Sequence, residues 1–449
     1  MKQRRILLLL LLLLAGLASC SPGHLGSNVI AFIRNGQLWT IDPNGANAFE
    51  VFASDVPAVG YNWSPNHQLL AFRSLDPDFA KTAAAKHLTS NPINGLIGDV
   101  PSTVNTIGVD GGMPIPIAFS NPDVLYSNTM WNTTNARLLY RQSPKLPPSS
   151  PNDVIWWVSQ NDQPGGIAIK SLPSSYSIPS FSYNSQNQLA IGNSNHGIFT
   201  TTLAGTNQKN ITTEPLPSHP LPASLERILW QPAHQDRSFL YALPVPSRGT
   251  GTGPLMVQLI LRTINGQATT LATCACTQFS WSPDGTRILY STGSTYTVFT
   301  ISNHAAFSIP ETSASIPYWS PDSQFLLLDG QKTLVLVQIA TQKQSVLLSD
   351  TTPSTSPGTP PVAPTAPTAT NALLQPVANS VWSADSRHFL FLTQARLQWQ
   401  GHPLKSGKGL YTVTIDNLGH PQGLPVVVDT GNDTQAGWTY QDANTSFLY

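Results

Sequence analysis

Apolar residues come in short runs along this chain, each ending on a large aromatic, then a polar turn cluster, then a second apolar run. The clearest copies are FSWSPDGTRILYST (279–292) and PYWSPDSQFLLLDG (317–330). The aromatic anchor recurs eight times, at Trp63, Trp131, Phe181, Trp230, Trp281, Trp319, Trp382 and Trp438, with spacings of 68, 50, 49, 51, 38, 63 and 56. Proline sets φ, and Asp, Asn and Gly accept tight turn geometry, so each copy predicts two antiparallel strands joined by a hairpin. Two further strands with a second short turn follow in most copies, as in NTIGVDGGMPIPIAF (105–119) and LILRTINGQATTLA (259–272). Four short strands at intervals of about fifty residues match the arithmetic of a propeller blade.

The expected fold is therefore all-β: a β-propeller of four-stranded blades, eight of them, with seven as the alternative if a degraded copy merges with its neighbour. Residues 28–34, 37–42 and 48–52 form strands with no anchor of their own. The last anchor, Trp438, is followed by only one strand, SFLY. Pairing the two ends closes the ring and hides both sheet edges, with one strand too many in the closing blade.

WSPDG followed by an apolar strand resembles the WD40-like repeat of the TolB-type propellers, and is similar to that in the propeller domains of prolyl oligopeptidase-type peptidases. The resemblance runs over nearly the whole chain after its leader. It implies a fold that binds or gates more often than it does chemistry. There is no room for the hydrolase domain of those peptidases.

The leader narrows the setting. Lys2, Arg4 and Arg5 precede an unbroken apolar run over 6–14, then Leu17-Ala18-Ser19-Cys20. This is the layout of a secretory signal, too short to span a membrane. With a cysteine directly after the small residues it resembles a bacterial lipobox. That resemblance implies a signal peptide over 1–19, lipid on Cys20, a linker over 20–27 and a single propeller domain over 28–449. The expected place is the cell membrane or envelope, on the extracytoplasmic side, with acyl chains as the anchor. A plain secretion signal is the alternative. Only seven residues separate Cys20 from the first strand, which keeps the propeller close to the bilayer. Ser21 resembles the outer-membrane sorting default, if the host has two membranes.

Composition agrees with an exported scaffold. Charged residues make up 10% of the chain, and without the leader 20 basic residues face 23 acidic ones, a formal −3. No basic patch suited to nucleic acid is present. A monomer is expected.

Candidate chemistry is sparse. No nucleophile elbow, zincin motif, phosphate loop or calcium loop occurs, so neither a cofactor nor a metal nor a catalytic residue is expected. His67, His234 and His388 fall in repeat turns and read as solvated turn residues. Asp284, Asp322 and Asp385 recur because the turn favours them. Cys274 and Cys276, two apart on an extended segment, leave three readings open: a disulfide, two buried small residues, or a metal or redox site.

Insertions carry the functional reading. With strands labelled a to d outward from the axis, the a–b and c–d turns are short. Six long segments (75–102, 143–153, 214–223, 244–254, 351–376 and 394–408) are all b–c or d–a connections, on the opposite face. The face that collects insertions in repeat proteins is often the binding face. Segment 351–376 is Pro/Thr-rich and reads as an extended solvated spacer, with a peptide ligand for a partner as the lesser alternative. FAKTAAAKHL within 75–102 reads as a short helix able to act as a lid. Segment 394–408 gathers Arg396, Trp399, His402, Lys405 and Lys408, the composition of a contact hot spot, with a Trp folded back on the blade as the equal alternative. The expected function is protein or peptide binding across this face. A carbohydrate or small-ligand sensor using the axial funnel is the second class, and a propeller lyase or glycosidase the third.

Overall fold

In blades one, five, six and seven the repeat turn is built on one serine. In the computed structural model, Ser282 Oγ donates to Asp284 Oδ1 at 2.5 Å and accepts the backbone N–H of Arg287 at 2.9 Å. Ser320 does the same with Asp322 (2.6 Å) and Phe325 N–H (2.9 Å), and Ser64 with Asn66 (2.7 Å) and Leu69 N–H (2.9 Å). All three serines are buried. The side chain thus replaces a missing ladder partner and starts the second strand in register. The left-handed position of the turn is Gly285 (φ 68°), Ser323 (φ 59°), Ser386 (φ 59°) or His67 (φ 63°). Of the three turn histidines, His67 is half-buried and its pKa is lowered by burial. His388 is half-buried against Asp385, and His234 lies outside the described residues.

The structure describes residues 29–85, 99–132, 137–145, 154–169, 180–181, 188–193, 197–202, 206–212, 221–222, 225, 227–232, 238–245, 255–310, 316–330, 333–349, 374–375, 381–393, 398–400, 402–404, 409–431 and 433–438. Within them lie eight antiparallel sheets, one for each anchor, so the fold is an eight-bladed β-propeller. Blade one has strands Ala58–Trp63, Leu69–Leu75, Ser102–Gly108 and Gly111–Ala118, paired in that order. The closing blade takes its a strand, Asp433–Trp438, from the C-terminal end. Its other three, Ile30–Arg34, Gln37–Ile41 and Phe49–Phe52, come from the N-terminal end. The expected surplus strand, 446–449, lies outside the described residues.

The anchor tryptophans explain their own recurrence. The indole Nε1 of Trp131 donates to Asn62 O (3.2 Å), that of Trp281 to Leu229 O (3.3 Å), that of Trp382 to Tyr318 O (3.1 Å) and that of Trp319 to Ser280 Oγ (3.3 Å). In every case the acceptor belongs to the residue just before the preceding blade's anchor. Each indole therefore packs between two blades and stitches them with the polar handle that phenylalanine lacks. Turns are linked as well: Asp284 N–H donates to Ser323 Oγ and Asp322 N–H to Ser386 Oγ, both at 3.0 Å. The apolar core accordingly forms layers between blades, such as one shared by Trp382, Phe325, Phe391 and Phe32 from three consecutive blades.

Candidate functional site

Strand order confirms where the insertions attach. Segments 75–102, 143–153, 244–254 and 394–408 each join strand b to strand c, and 214–223 and 351–376 join d to the next a. Antiparallel pairing puts all six at one end of the blades.

The insertion of blade one is held at its base. A helix, Pro77–Ala85, begins directly after strand b. Asp76 is its N-cap: Oδ1 accepts the N–H groups of Asp78 and Phe79, both at 3.0 Å, and Pro77 takes the first helical position, where no donor is needed. Ala80 is buried beside Val59, Leu75 and Val100. Asp76 N–H donates to Pro101 O at 2.9 Å, so the two ends of the insertion meet, as in an Ω-loop. The returning segment then pairs with blade two through Val100 and Tyr126.

Charge closes the same junction. Asp99 Oδ2 accepts both Nε (3.1 Å) and Nη2 (2.8 Å) of Arg141 on strand b of blade two, and Ser143 Oγ at 3.3 Å. Arg73, on strand b of blade one, is 1% exposed and donates from Nη1 to Tyr126 O at 2.6 Å. Burial lowers its pKa to about 10, partly offset by the Asp99 carboxylate, so it stays charged at neutral pH. Strand a yields to make space: Gly60 has φ 97°, and a Cβ there would lie 2.6 Å from Asn128 Oδ1. A bulged inner strand beside buried charge is a device that re-aims side chains at functional sites. The result is a rigid clamp across blades one and two, from which the helical insertion projects. Sequence reading placed this insertion but missed Arg73, Asp99 and Arg141. The one available signal was an arginine inside the apolar strand LLAFRSL.

The cluster expected at 394–408 comes out differently. Trp399 is 1% exposed, stacked on Phe391 at 6.0 Å with an interplanar angle of 3°. It belongs to the core and not to an exposed contact surface, because Gln398–Trp399 pairs with Ser349 and Leu348 on the outer strand of blade six. Its hairpin partner, His402–Pro403, is exposed, and blade six gains two strands from blade seven. Arg396, Lys405 and Lys408 lie outside the described residues, as do Cys20, the whole linker and nearly all of 351–376. Cys274 and Cys276 are joined by a disulfide, with Cα atoms 5.0 Å apart, in the crossover from blade four to blade five. Among the described residues no cluster of metal-ligating side chains occurs.

Two other charged groups stand at this end. Arg34 of blade eight pairs with Asp429 of blade seven and lies 5.0 Å over the rings of both Phe32 and Trp39. Asp329, at the end of strand b in blade six, is 7% exposed, and burial pushes its pKa up to about 8.

No family model matches the chain, and no curated protein matches it. Solved structures do. A eukaryotic initiation factor superposes with a TM-score of 0.51 at 10% identity, covering 93% of this chain and 100% of that one. An oligogalacturonate lyase in complex with manganese gives 0.46 at 11% identity, over 69% and 81% of the two chains. TolB from Acinetobacter baumannii gives 0.36 at 15%, over 62% and 75%. At 10% identity the likeness to the initiation factor is one of fold alone.

Proposed function

We propose that this protein is a membrane-anchored, extracytoplasmic propeller that binds a protein or peptide partner across its insertion-bearing face. The observation that carries this reading is the attachment of all six long insertions at one end of the blades, over a clamped junction of blades one and two. Loops fixed on a rigid scaffold at one face are the usual layout of a recognition surface. The lipid on Cys20 supplies the anchor and places the domain outside the cytoplasm.

The test uses the unlipidated propeller and a twin in which 77–98 and 351–373 are replaced by short Gly/Ser turns, with 394–408 left intact. Both are used to capture partners from detergent-solubilised envelope extract, and any captured protein is then purified and titrated directly. A partner that binds the intact protein at least tenfold more tightly than the twin, about 1.4 kcal/mol, is expected. Equal binding by two equally folded forms, or capture by neither, would overturn the reading.

A further inference from the structure

The two ends of the propeller differ in which one receives the N-terminal segment. Strand Ile30–Arg34 is strand b of the closing blade, and Ile30 pairs with Trp438. Trp438 is an anchor, and in the other blades the anchor stands at the short-turn end of strand a. Ile30 therefore sits at the short-turn end, and the chain runs from there toward the insertion-bearing end. Ten positions separate Ile30 from Cys20, a reach of about 35 Å at full extension. A tether that leaves from the short-turn end brings that end to the bilayer by the shortest path.

A second observation points the same way. Among the described residues, ten large hydrophobics are exposed, and five stand at or near the short-turn end of blades seven, one and two. Leu418 (61% exposed) and Leu424 (65%) belong to the c–d connection of blade seven, and Val426, Met113 (89%) and Ile167 stand in the first residues of the outer strands of blades seven, one and two. Blades seven and one flank the closing blade, and blade two follows blade one. Its own c–d turn lies against blade seven, where Gly45 meets Val428 O, and its outer strand against blade one, where Phe49 meets Gly111. The charges on the same turns are acidic, namely Asp42, Asp110 and Asp416, with His420 paired to Asp416. Apolar groups beside carboxylates suit a neutral lipid interface and not an anionic one.

We propose that the short-turn rim of blades seven, eight, one and two rests on the lipid surface, so that the insertion-bearing face is held outward, away from the membrane. The proposal rests on the lipid-anchor reading of Cys20, and the experiment separates the two. Full-length protein is reconstituted in phosphatidylcholine vesicles, with an environment-sensitive fluorophore on A46C (short-turn end of blade eight) or H402C (insertion-bearing end). Doxyl-labelled lipid is the quencher, and intact-protein mass reports the acyl chains on Cys20. Several-fold stronger quenching at position 46 than at 402 is expected, reduced when M113D and L418D are combined. With the acyl mass present, equal or reversed quenching would overturn the orientation and leave the anchor standing. An absent acyl mass would overturn the anchor, and the orientation with it.

Discussion

Arg73 and Asp329 occupy the same repeat position, three residues beyond the partner of the anchor in blades one and six. Both are buried, and their neighbours decide what the charge does. Arg73 has a carbonyl acceptor and the Asp99 carboxylate nearby and remains ionised. Asp329 has no cation paired with it among the described residues, and desolvation favours its protonated form up to about pH 8. An unfolded aspartate releases its proton near pH 3.9. Between those values the folded state binds a proton that the unfolded state does not, so stability falls as pH rises through this window. Unfolding free energies from urea titrations at pH 5 and pH 8 should differ for the native protein by at most about 4 kcal/mol. D329N should flatten that dependence, and an unchanged pH profile would show that Asp329 is not the group responsible. The turn aspartates behave oppositely. Burial raises the pKa of Asp284 and Asp385, but donors from Ser282, Thr286, Ser383 and Arg387 outweigh it and hold both low. Their role was legible in the sequence because every partner lies within three residues. Nothing local to Arg73 or Asp329 names a partner, so their states were not legible.

Among the elements, the hairpin at 398–403 departs furthest from expectation. An aromatic beside basic residues in a long connection has the composition of a contact site. Here the aromatic is instead the plug by which one blade covers the edge of its neighbour. Covering an outer strand also removes an open edge that could pair with another chain. The outer strand of blade one manages the same hazard differently, with Pro114 and Pro116 removing two outward donors. W399A should therefore cost about 3–5 kcal/mol of stability, as for other large core truncations. Its effect on partner binding should be no larger than the loss of folded protein explains. A chemical-denaturation curve beside a binding titration checks both, and a stable variant that has lost binding would restore the contact-site reading. A helix in this insertion was visible beforehand in FAKTAAAKHL (79–88), a local signal, and the structure starts it two residues earlier, at Pro77. Its clamp onto blade two was not, since Asp99 and Arg141 are 42 residues apart.

At the scale of the whole molecule, the ring is closed by a single strand. Asp433–Trp438 supplies the anchor of blade eight and covers the edge of Ile30–Arg34. Removing 433–449 should abolish the cooperative thermal transition and shift the protein toward aggregates in size-exclusion chromatography, because the edge of Ile30–Arg34 opens and the ring loses its closure. A monomeric, cooperatively melting truncation would show that the ring does not depend on this strand. By itself, the sequence determined the architecture, the number of units, the turn chemistry and the end of the blades to which the insertions belong. Each of these follows from short-range patterning: a period of two along strands, a turn-forming cluster after each anchor, and a repeat near fifty residues. Only the tertiary structure decided the identity of the buried charges, the indole stitches between blades, the fate of Trp399 and the end at which the N-terminal segment enters. Those depend on contacts between blades tens or hundreds of residues apart, where burial and pairing, and not local propensity, set the energy of each group.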